Sequence, residues 1–236
     1  MHGSPSGEAG PTRFEPDVLA LLPAELALSR LPGGRHGLPR PFVARNQRLR
    51  LVAAMLCVLP RHGYHATTIG HVTREAGVSR SAFYGQFESK EECFLATYDL
   101  AAEWLCERVE RAAAEIGEWS AGVRAAVSEA LRLLAANPDL AHLIAVEAMQ
   151  AGPVARRRRQ ACLTRLADAL RAGRPSGEEL PADLEQLLLG GALAHIGRYV
   201  DDGDVERLPE ATAELVQYLL LPYLDPGESR RIAEAA

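Results

Sequence analysis

The sequence has little of what marks membrane, secreted and metal-binding proteins. No apolar run approaches the roughly 18 residues that a membrane span needs, and no basic cluster directly precedes the early apolar segment, as a signal peptide requires. The four cysteines are widely spaced, with no C-x-x-C pair and no histidine at zinc-finger spacing. We therefore expect a cytoplasmic protein with no membrane association, buried reduced thiols, and neither a metal site nor a cofactor.

The short motifs of common enzyme classes are also missing. The chain contains no G-x-S-x-G, P-loop or H-E-x-x-H sequence. A di-metal helical-bundle enzyme, which is one alternative, needs two Glu-x-x-His motifs that face inward. The chain offers only one D-x-x-H, formed by Asp139 and His142. We therefore expect that the protein is not an enzyme.

Charge is distributed unevenly along the chain. Lysine occurs once, as Lys90, and every other basic side chain apart from histidine is arginine. The first 90 residues carry 11 basic and six acidic side chains, whereas the remainder carries 15 basic and 25 acidic ones. A basic N-terminal part joined to an acidic body indicates that one end meets a polyanion. The RRRR run at residues 156–159 is a candidate nucleic-acid patch, but consecutive residues point to all sides of a helix, which favours a solvated or interdomain helix start.

The apolar periodicity predicts an all-α fold. Residues 1–44 are rich in proline and glycine and are expected to form a partly extended arm, with a short helix around residues 17–30. From Arg45 to about Pro60, apolar residues recur at helical spacing, and no later segment alternates with strand periodicity. Beyond residue 90 we predict helices over residues 91–116, 119–136, 138–150, 154–172, 182–200 and 208–221, with a short one after Pro226.

Two short helices are predicted close together after the first long one. Thr68 is placed to cap the first short helix, and Gly77 ends it. Ser79 is placed to cap the second, and the SKEE sequence from Ser89 matches a capping box that begins a longer helix. Only Gly77 and Val78 separate the two short helices, which predicts a helix-turn-helix.

The second short helix has a bulky face and a small face. Phe83 and Phe87 share one face and are expected in the core, which holds a helix too short to be stable alone. Ser81, Ala82 and Gly85 lie opposite, and small side chains allow a helix backbone to enter a DNA major groove.

Several side chains around this small face are suited to DNA contacts. Arg80 can reach guanine acceptors, Ala82 can meet a thymine methyl, and Tyr84 can bind a phosphate. Thr68 and Lys90 lie at helix starts, where an anion is favoured. Simple helix capping is the alternative role for Thr68.

Residues 45 to about 100 closely resemble the DNA-binding domain of the TetR family of bacterial transcriptional regulators. The resemblance rests on the GY.ATT segment, the AGVS turn, the FY..F recognition helix and the SKEE helix start, all at fixed spacing. It implies DNA contacts from Thr68, Arg80, Ser81, Ala82, Tyr84, Gln86 and Lys90. Ala82 and Gly85 are smaller than the residues common at those positions of the family.

The resemblance also implies the organisation of the whole chain. After the arm at residues 1–44, which departs from a minimal member of the family, it divides the sequence into a helix-turn-helix domain at residues 45–90 and an effector-binding and dimerisation domain at residues 91–236. It implies a homodimer, usually a repressor that a small molecule releases from a double-stranded DNA operator. A DNA-binding architectural protein without an effector is the alternative.

The C-terminal part contains few polar residues that could converge on a ligand. His142 and His195, together with Trp104, Glu147 and Tyr199, are candidates to line a pocket, although each has a structural role as its alternative. Helices at residues 182–200 and 208–221 are the expected dimer interface, because the resemblance places a four-helix bundle there. In the arm, Arg35 and Arg40 are candidates for minor-groove contacts, with a surface-packed tail as the alternative.

Overall fold

The computed structural model describes residues 40–174 and 180–235, which form helices and turns with no strand among them. This confirms the predicted all-α class. The N-terminal helices are α1 (Arg40–Ala66), α2 (Ile69–Ala76), α3 (Arg80–Tyr84) and α4 (Lys90–Ala114). The body continues with α5 (Trp119–Ala136), α6 (Pro138–His142), a π-helical turn (Leu143–Glu147), α7 (Ala148–Gln150), α8 (Pro153–Gly173), α9 (Leu184–Asp202), a 3-10 turn (Val205–Ala211), α10 (Thr212–Leu220) and α11 (Pro226–Ala233).

Helix α1 is longer than the sequence indicated at both ends. It begins at Arg40, so residues 40–44 are helical and do not belong to an extended arm. It continues past Pro60 to a kink at Gly63, whose φ of 67° is unfavourable for residues with a side chain, and then runs on to Ala66. Residues 1–39, with the predicted short helix and Arg35, lie outside the described residues.

Two helices predicted as continuous are interrupted in the body. The segment at residues 138–150 contains the π-helical turn, which widens the helix between α6 and α7. The segment at residues 208–221 begins as the 3-10 turn, which contains Pro209, and becomes α-helical only at Thr212. Proline cannot donate the backbone hydrogen bond of a helix interior, which is consistent with the late start of α10.

The larger of two apolar clusters among the described residues runs from the N-terminal helices into the body. Phe83 and Phe87 are buried at 0% and 1% exposure, which confirms the prediction that they anchor the second short helix. They belong to the same cluster as Leu51 of α1 and Phe94 and Leu105 of α4. Helix α4 therefore packs against the other N-terminal helices at one end of this core and against the body at the other.

Cysteine placement agrees with the expected free thiols. Cys57, Cys93 and Cys106 are buried, and Cys162 is partly buried.

Among the described residues, no helix is both long and apolar enough to cross a bilayer. Nor do three His, Cys, Asp or Glu side chains of these residues group closely enough to hold a metal ion.

Candidate DNA-binding surface and effector cavity

Three side-chain caps build the helix-turn-helix, as the sequence predicted. Thr68 Oγ1 accepts from the His71 N–H at 3.2 Å, and Ser79 Oγ accepts from the Ala82 N–H at 3.1 Å. Ser89 Oγ accepts from the Glu92 N–H at 3.1 Å and starts α4. Between the first two caps, Gly77 adopts the left-handed conformation with φ 62° and ψ 38°, which turns the chain sharply from α2 into α3.

Two arginines of α1 stabilise the helix-turn-helix by hydrogen bonds to its backbone carbonyls. The Arg50 guanidinium donates to the carbonyls of Ala76 and Gly77 at the end of α2. Arg48 donates to the Gln86 carbonyl at 2.9 Å, and its guanidinium lies 4.3 Å from the centre of the Phe87 ring. From the sequence, both residues counted toward the basic charge of the N-terminal part. Their contacts show that they stabilise the fold of this domain.

The outer side of α3 presents mostly small or polar side chains. Arg80, Ser81 and Gly85 are exposed, Ala82 is partly buried, and Tyr84 is 59% exposed. Thr68 is exposed at the start of α2, beside this surface. We call Thr68, Arg80, Ser81, Ala82 and Tyr84 the recognition surface. The predicted contact residues of α2 and α3 are therefore exposed or partly exposed in the structure.

A glycine of α2 borders the same surface. A Cβ atom at Gly70 would lie 3.4 Å from an Arg80 guanidinium nitrogen and 3.6 Å from Thr68 Oγ1, so Gly70 is close to both of these side chains. His71, on the same turn, accepts from the Thr68 N–H through Nδ1 at 3.4 Å and stacks on His62 with 4.3 Å between the rings. The sequence reasoning missed both residues, because a capping box usually carries Glu or Gln where His71 stands.

Lys90 and Gln86 have partners inside the protein. The Lys90 ammonium donates to the Tyr64 carbonyl at 2.7 Å and the His65 carbonyl at 3.4 Å, and it lies 4.3 Å from the centre of the Tyr64 ring. Burial lowers the pKa of Lys90. Gln86 is partly buried, and Arg48 binds its carbonyl. Both residues therefore join α1 to the helices that follow it, whether or not they also contact a phosphate.

The body contains a cavity of about 570 Å³. Helices α4, α5, α8, α9 and α10 and the π-helical turn form its walls, which are largely apolar and include Leu105, Val127, Leu163 and Ile196. Polar lining comes from Tyr98, Cys106, Glu110, Trp119, Arg159 and Cys162. Pockets of this size and composition are typical of small-molecule sites.

None of the five residues predicted to line a ligand pocket lines this cavity. Glu147 is buried at the end of the π-helical turn, where its Oε2 accepts from the Tyr64 N–H at 2.7 Å. His142 Nδ1 lies 3.6 Å from Glu147 Oε1. The Glu147 side chain therefore connects the body to the kinked end of α1.

The other three candidates lie on α4 and α9. His195 and Tyr199 form an edge-on ring pair with 5.5 Å between centres, and His195 Nε2 lies 3.8 Å from Glu214 Oε2 of α10. Trp104 packs partly buried against the main core. Composition marks polar and aromatic residues as candidates, but the rotation of each helix decides which of them face the cavity.

The sequence and the fold of the chain were compared with those of known proteins. Residues 51–97 match the family model described as bacterial regulatory proteins, tetR family. This match covers the helix-turn-helix and confirms the resemblance of that region to the TetR family. No curated protein matches the sequence.

Solved structures with the same fold include several regulators. The fatty acid degradation regulator FadR from Bacillus halodurans has a TM-score of 0.67 and 20% identity, covering 74% of this chain and 94% of FadR. FadR from Bacillus subtilis, solved in complex with stearoyl-CoA, has a TM-score of 0.64 and 19% identity, covering 72% and 96%. A TetR transcriptional regulator from Chloroflexus aurantiacus J-10-FL has a TM-score of 0.58 and 24% identity, covering 75% and 96%. At these identities the similarity shows the fold alone.

Helices α9 and α10 carry exposed apolar side chains. Leu187 of α9 is 68% exposed, Tyr218 of α10 is 38% exposed, and Leu221 is 44% exposed. The Tyr218 hydroxyl occupies the position that a Cβ at Gly191 would need, so the glycine allows the tyrosine to lie across α9. We call Leu187, Gly191, Tyr218 and Leu221 the α9–α10 surface. It includes residues from both helices that the sequence proposed for dimerisation.

Proposed function

We propose that this chain is a homodimeric, sequence-specific DNA-binding regulator of the TetR family, of the repressor type, that a small molecule in the cavity releases from a pseudo-palindromic operator. The observation that carries the proposal is the recognition surface. It combines an exposed, small-sided face of α3 with a rigid support of buried phenylalanines beneath it.

The internal contacts of the helix-turn-helix support a direct role in DNA recognition. Helix α3 has only five residues, and a helix of that length is not stable alone in water. Burial of Phe83 and the hydrogen bonds from Arg48 and Arg50 fix the region around it. Such rigidity favours base recognition, because an arginine such as Arg80 must be held in position to make two hydrogen bonds to one guanine.

The α9–α10 surface supports the homodimer. Its exposed leucines and tyrosine are apolar side chains that a partner subunit could cover. A two-fold axis through this surface would present two recognition surfaces to the same side of DNA. Two half-sites about 34 Å apart, which is one turn of the duplex, would then bind the two recognition surfaces.

Contacts between the cavity and α1 support release by a ligand. Ile144 of the π-helical turn lines the cavity, and Glu147 of the same turn binds the Tyr64 N–H. The Tyr64 carbonyl in turn binds Lys90, at the start of α4. A ligand that displaces the turn would therefore move both α1 and α4. It would favour a dimer in which the distance between the two recognition surfaces no longer matches the two half-sites of the operator.

A selection of bound sites from random double-stranded DNA tests the proposal. We expect an inverted repeat, bound by two subunits that sediment as a dimer at micromolar concentration. A pool without a consensus, bound with steep salt dependence, would instead favour the architectural alternative. An inverted repeat that no cavity ligand releases would favour a regulator without an effector.

A further inference from the structure

We propose that the cavity takes an elongated aliphatic carboxylate, with the carboxylate bound by Arg159 and the hydrocarbon chain lying along the apolar walls. This inference rests on the proposed function, because it names the class of molecule that would act as effector. It depends on the charges and packing around the cavity.

The position of Arg159 distinguishes it from its neighbours in the RRRR run. Residues 156–158 are exposed, and Arg158 pairs with Asp99 at 3.1 Å. Arg159 is partly buried and lines the cavity. Its Nε is buried with no hydrogen-bond partner in the described part of the chain. A buried, unsatisfied guanidinium nitrogen is costly, and an anionic ligand would remove that cost.

Glu110, the acidic residue of the cavity lining, is already paired. Both of its carboxylate oxygens accept from Arg165, each at 2.7 Å. The negative charge of Glu110 is therefore compensated by Arg165, and the positive charge of Arg159 is left for a ligand. This arrangement disfavours an amine and favours an acid.

Tyr98 lies near Arg159 and adds a second polar group. Burial raises the pKa of the Tyr98 hydroxyl, while the nearby Arg159 opposes that rise. The hydroxyl therefore keeps its proton at neutral pH and is available as a donor. A guanidinium and a hydroxyl match the two oxygens of a carboxylate, because a planar guanidinium binds such a group through paired hydrogen bonds.

The remaining walls suit a hydrocarbon chain. They come from five helices and include Val109, Leu131 and Leu166 in addition to the residues named above. Burial of each methylene contributes about 0.8 kcal/mol, so affinity should rise about three- to fourfold per added methylene until the cavity is full. A short, polar anion would leave these walls unfilled.

Calorimetric titration of the full chain, without DNA, tests the proposal. The probes are dodecanoate, 1-dodecanol, dodecylamine and dodecanoyl-CoA. We expect dodecanoate to bind at least tenfold more tightly than the alcohol or the amine. Arg159→Met should weaken dodecanoate binding about tenfold to a hundredfold, while binding of 1-dodecanol stays the same. Arg157→Met is the matched control, because it removes one charge from an exposed position of the same helix turn, and it should change neither affinity.

Equal binding of dodecanoate and 1-dodecanol, or equal effects of the two variants, would overturn the role of Arg159. Binding of dodecanoyl-CoA without dodecanoate would overturn the choice of a free carboxylate. DNA release is measured separately on the selected site. Dodecanoate that binds but releases no DNA would contradict the proposed function while leaving the ligand class supported. If another compound releases the chain from DNA and dodecanoate does not bind, the proposed function is supported and the proposed ligand class is contradicted.

Discussion

Replacement of Glu147 should weaken the connection between the C-terminal body and the recognition surface. The Glu147 side chain is 2% exposed, and its Oε2 accepts the Tyr64 N–H at 2.7 Å. Tyr64 follows the kink at Gly63 directly and binds Lys90 through its carbonyl. The carboxylate therefore fixes the part of α1 on which the start of α4 depends.

The size of the effect follows from this contact. Glu147→Ala leaves the Tyr64 N–H without its partner, which should lower the free energy of unfolding by about 1–3 kcal/mol. Glu147→Gln keeps an oxygen acceptor at the same place but removes the charge, so its loss should be about half as large. Both variants should also free the end of α1.

Chemical denaturation and amide hydrogen exchange measure the two consequences. We expect the Tyr64 amide to exchange faster in Glu147→Ala than the amides of the α5 interior. Affinity should fall equally for the selected operator and for its single-base variants. The reason is that the positions of α1 and α4 change, while the base-reading side chain Arg80 is retained.

Glu185→Gln is the control. The Glu185 carboxylate is also buried, but it accepts from Arg171, Arg174 and the Tyr223 hydroxyl, all in the body. It should cost stability without changing exchange at Tyr64. If the Tyr64 amide stays as protected in Glu147→Ala as in the parent, or if both carboxylate variants change operator affinity equally, the connection through Glu147 is refuted.

Three further results are expected. Arg80→Ala should lose about 1–3 kcal/mol of operator binding free energy at one base position, whereas Lys90→Ala should weaken binding to all sequences alike. Binding measured on arrays of single-base operator variants distinguishes the two results. An equal loss on every sequence for Arg80→Ala would contradict its base-reading role. Leu187→Asp should dissociate the dimer in sedimentation, and an unchanged dimer would exclude the α9–α10 surface. Burial alone would raise the pKa of Glu185, but its backbone N–H, Arg171 and Tyr223 outweigh burial and hold the pKa below its ordinary value. The parent's advantage over Glu185→Gln in unfolding free energy should therefore be complete above the unfolded pKa of about 4.3 and disappear as pH falls through the lower folded pKa; an advantage that persists at lower pH would contradict this linkage.

Local signals were enough to predict the helix-turn-helix. Thr68, Ser79 and Ser89 cap helices in the structure as their positions indicated, and Phe83 and Phe87 are buried as their spacing required. Such features depend on residues within a few positions of one another, so they can be read without knowing the fold.

The cavity could not be predicted in the same way. His142 and Glu147 were chosen for their chemistry, but the turn of the chain around residues 143–147 directs the Glu147 carboxylate toward α1. Arg159 was interpreted as part of a solvated run, although it is the member of that run that lines the cavity. A sequence does not specify which side of a helix meets which neighbour when several sides carry similar residues.

The sequence by itself determined the helices, their caps and the family of the N-terminal domain, because those depend on short-range backbone hydrogen bonds and on apolar spacing. Only the tertiary structure decided which polar groups meet: Arg48 and Arg50 with the turn, Lys90 and Glu147 with Tyr64, and Arg159 with the cavity. The physical reason is that these contacts join residues far apart in the chain, and their geometry is set by how whole helices pack against one another.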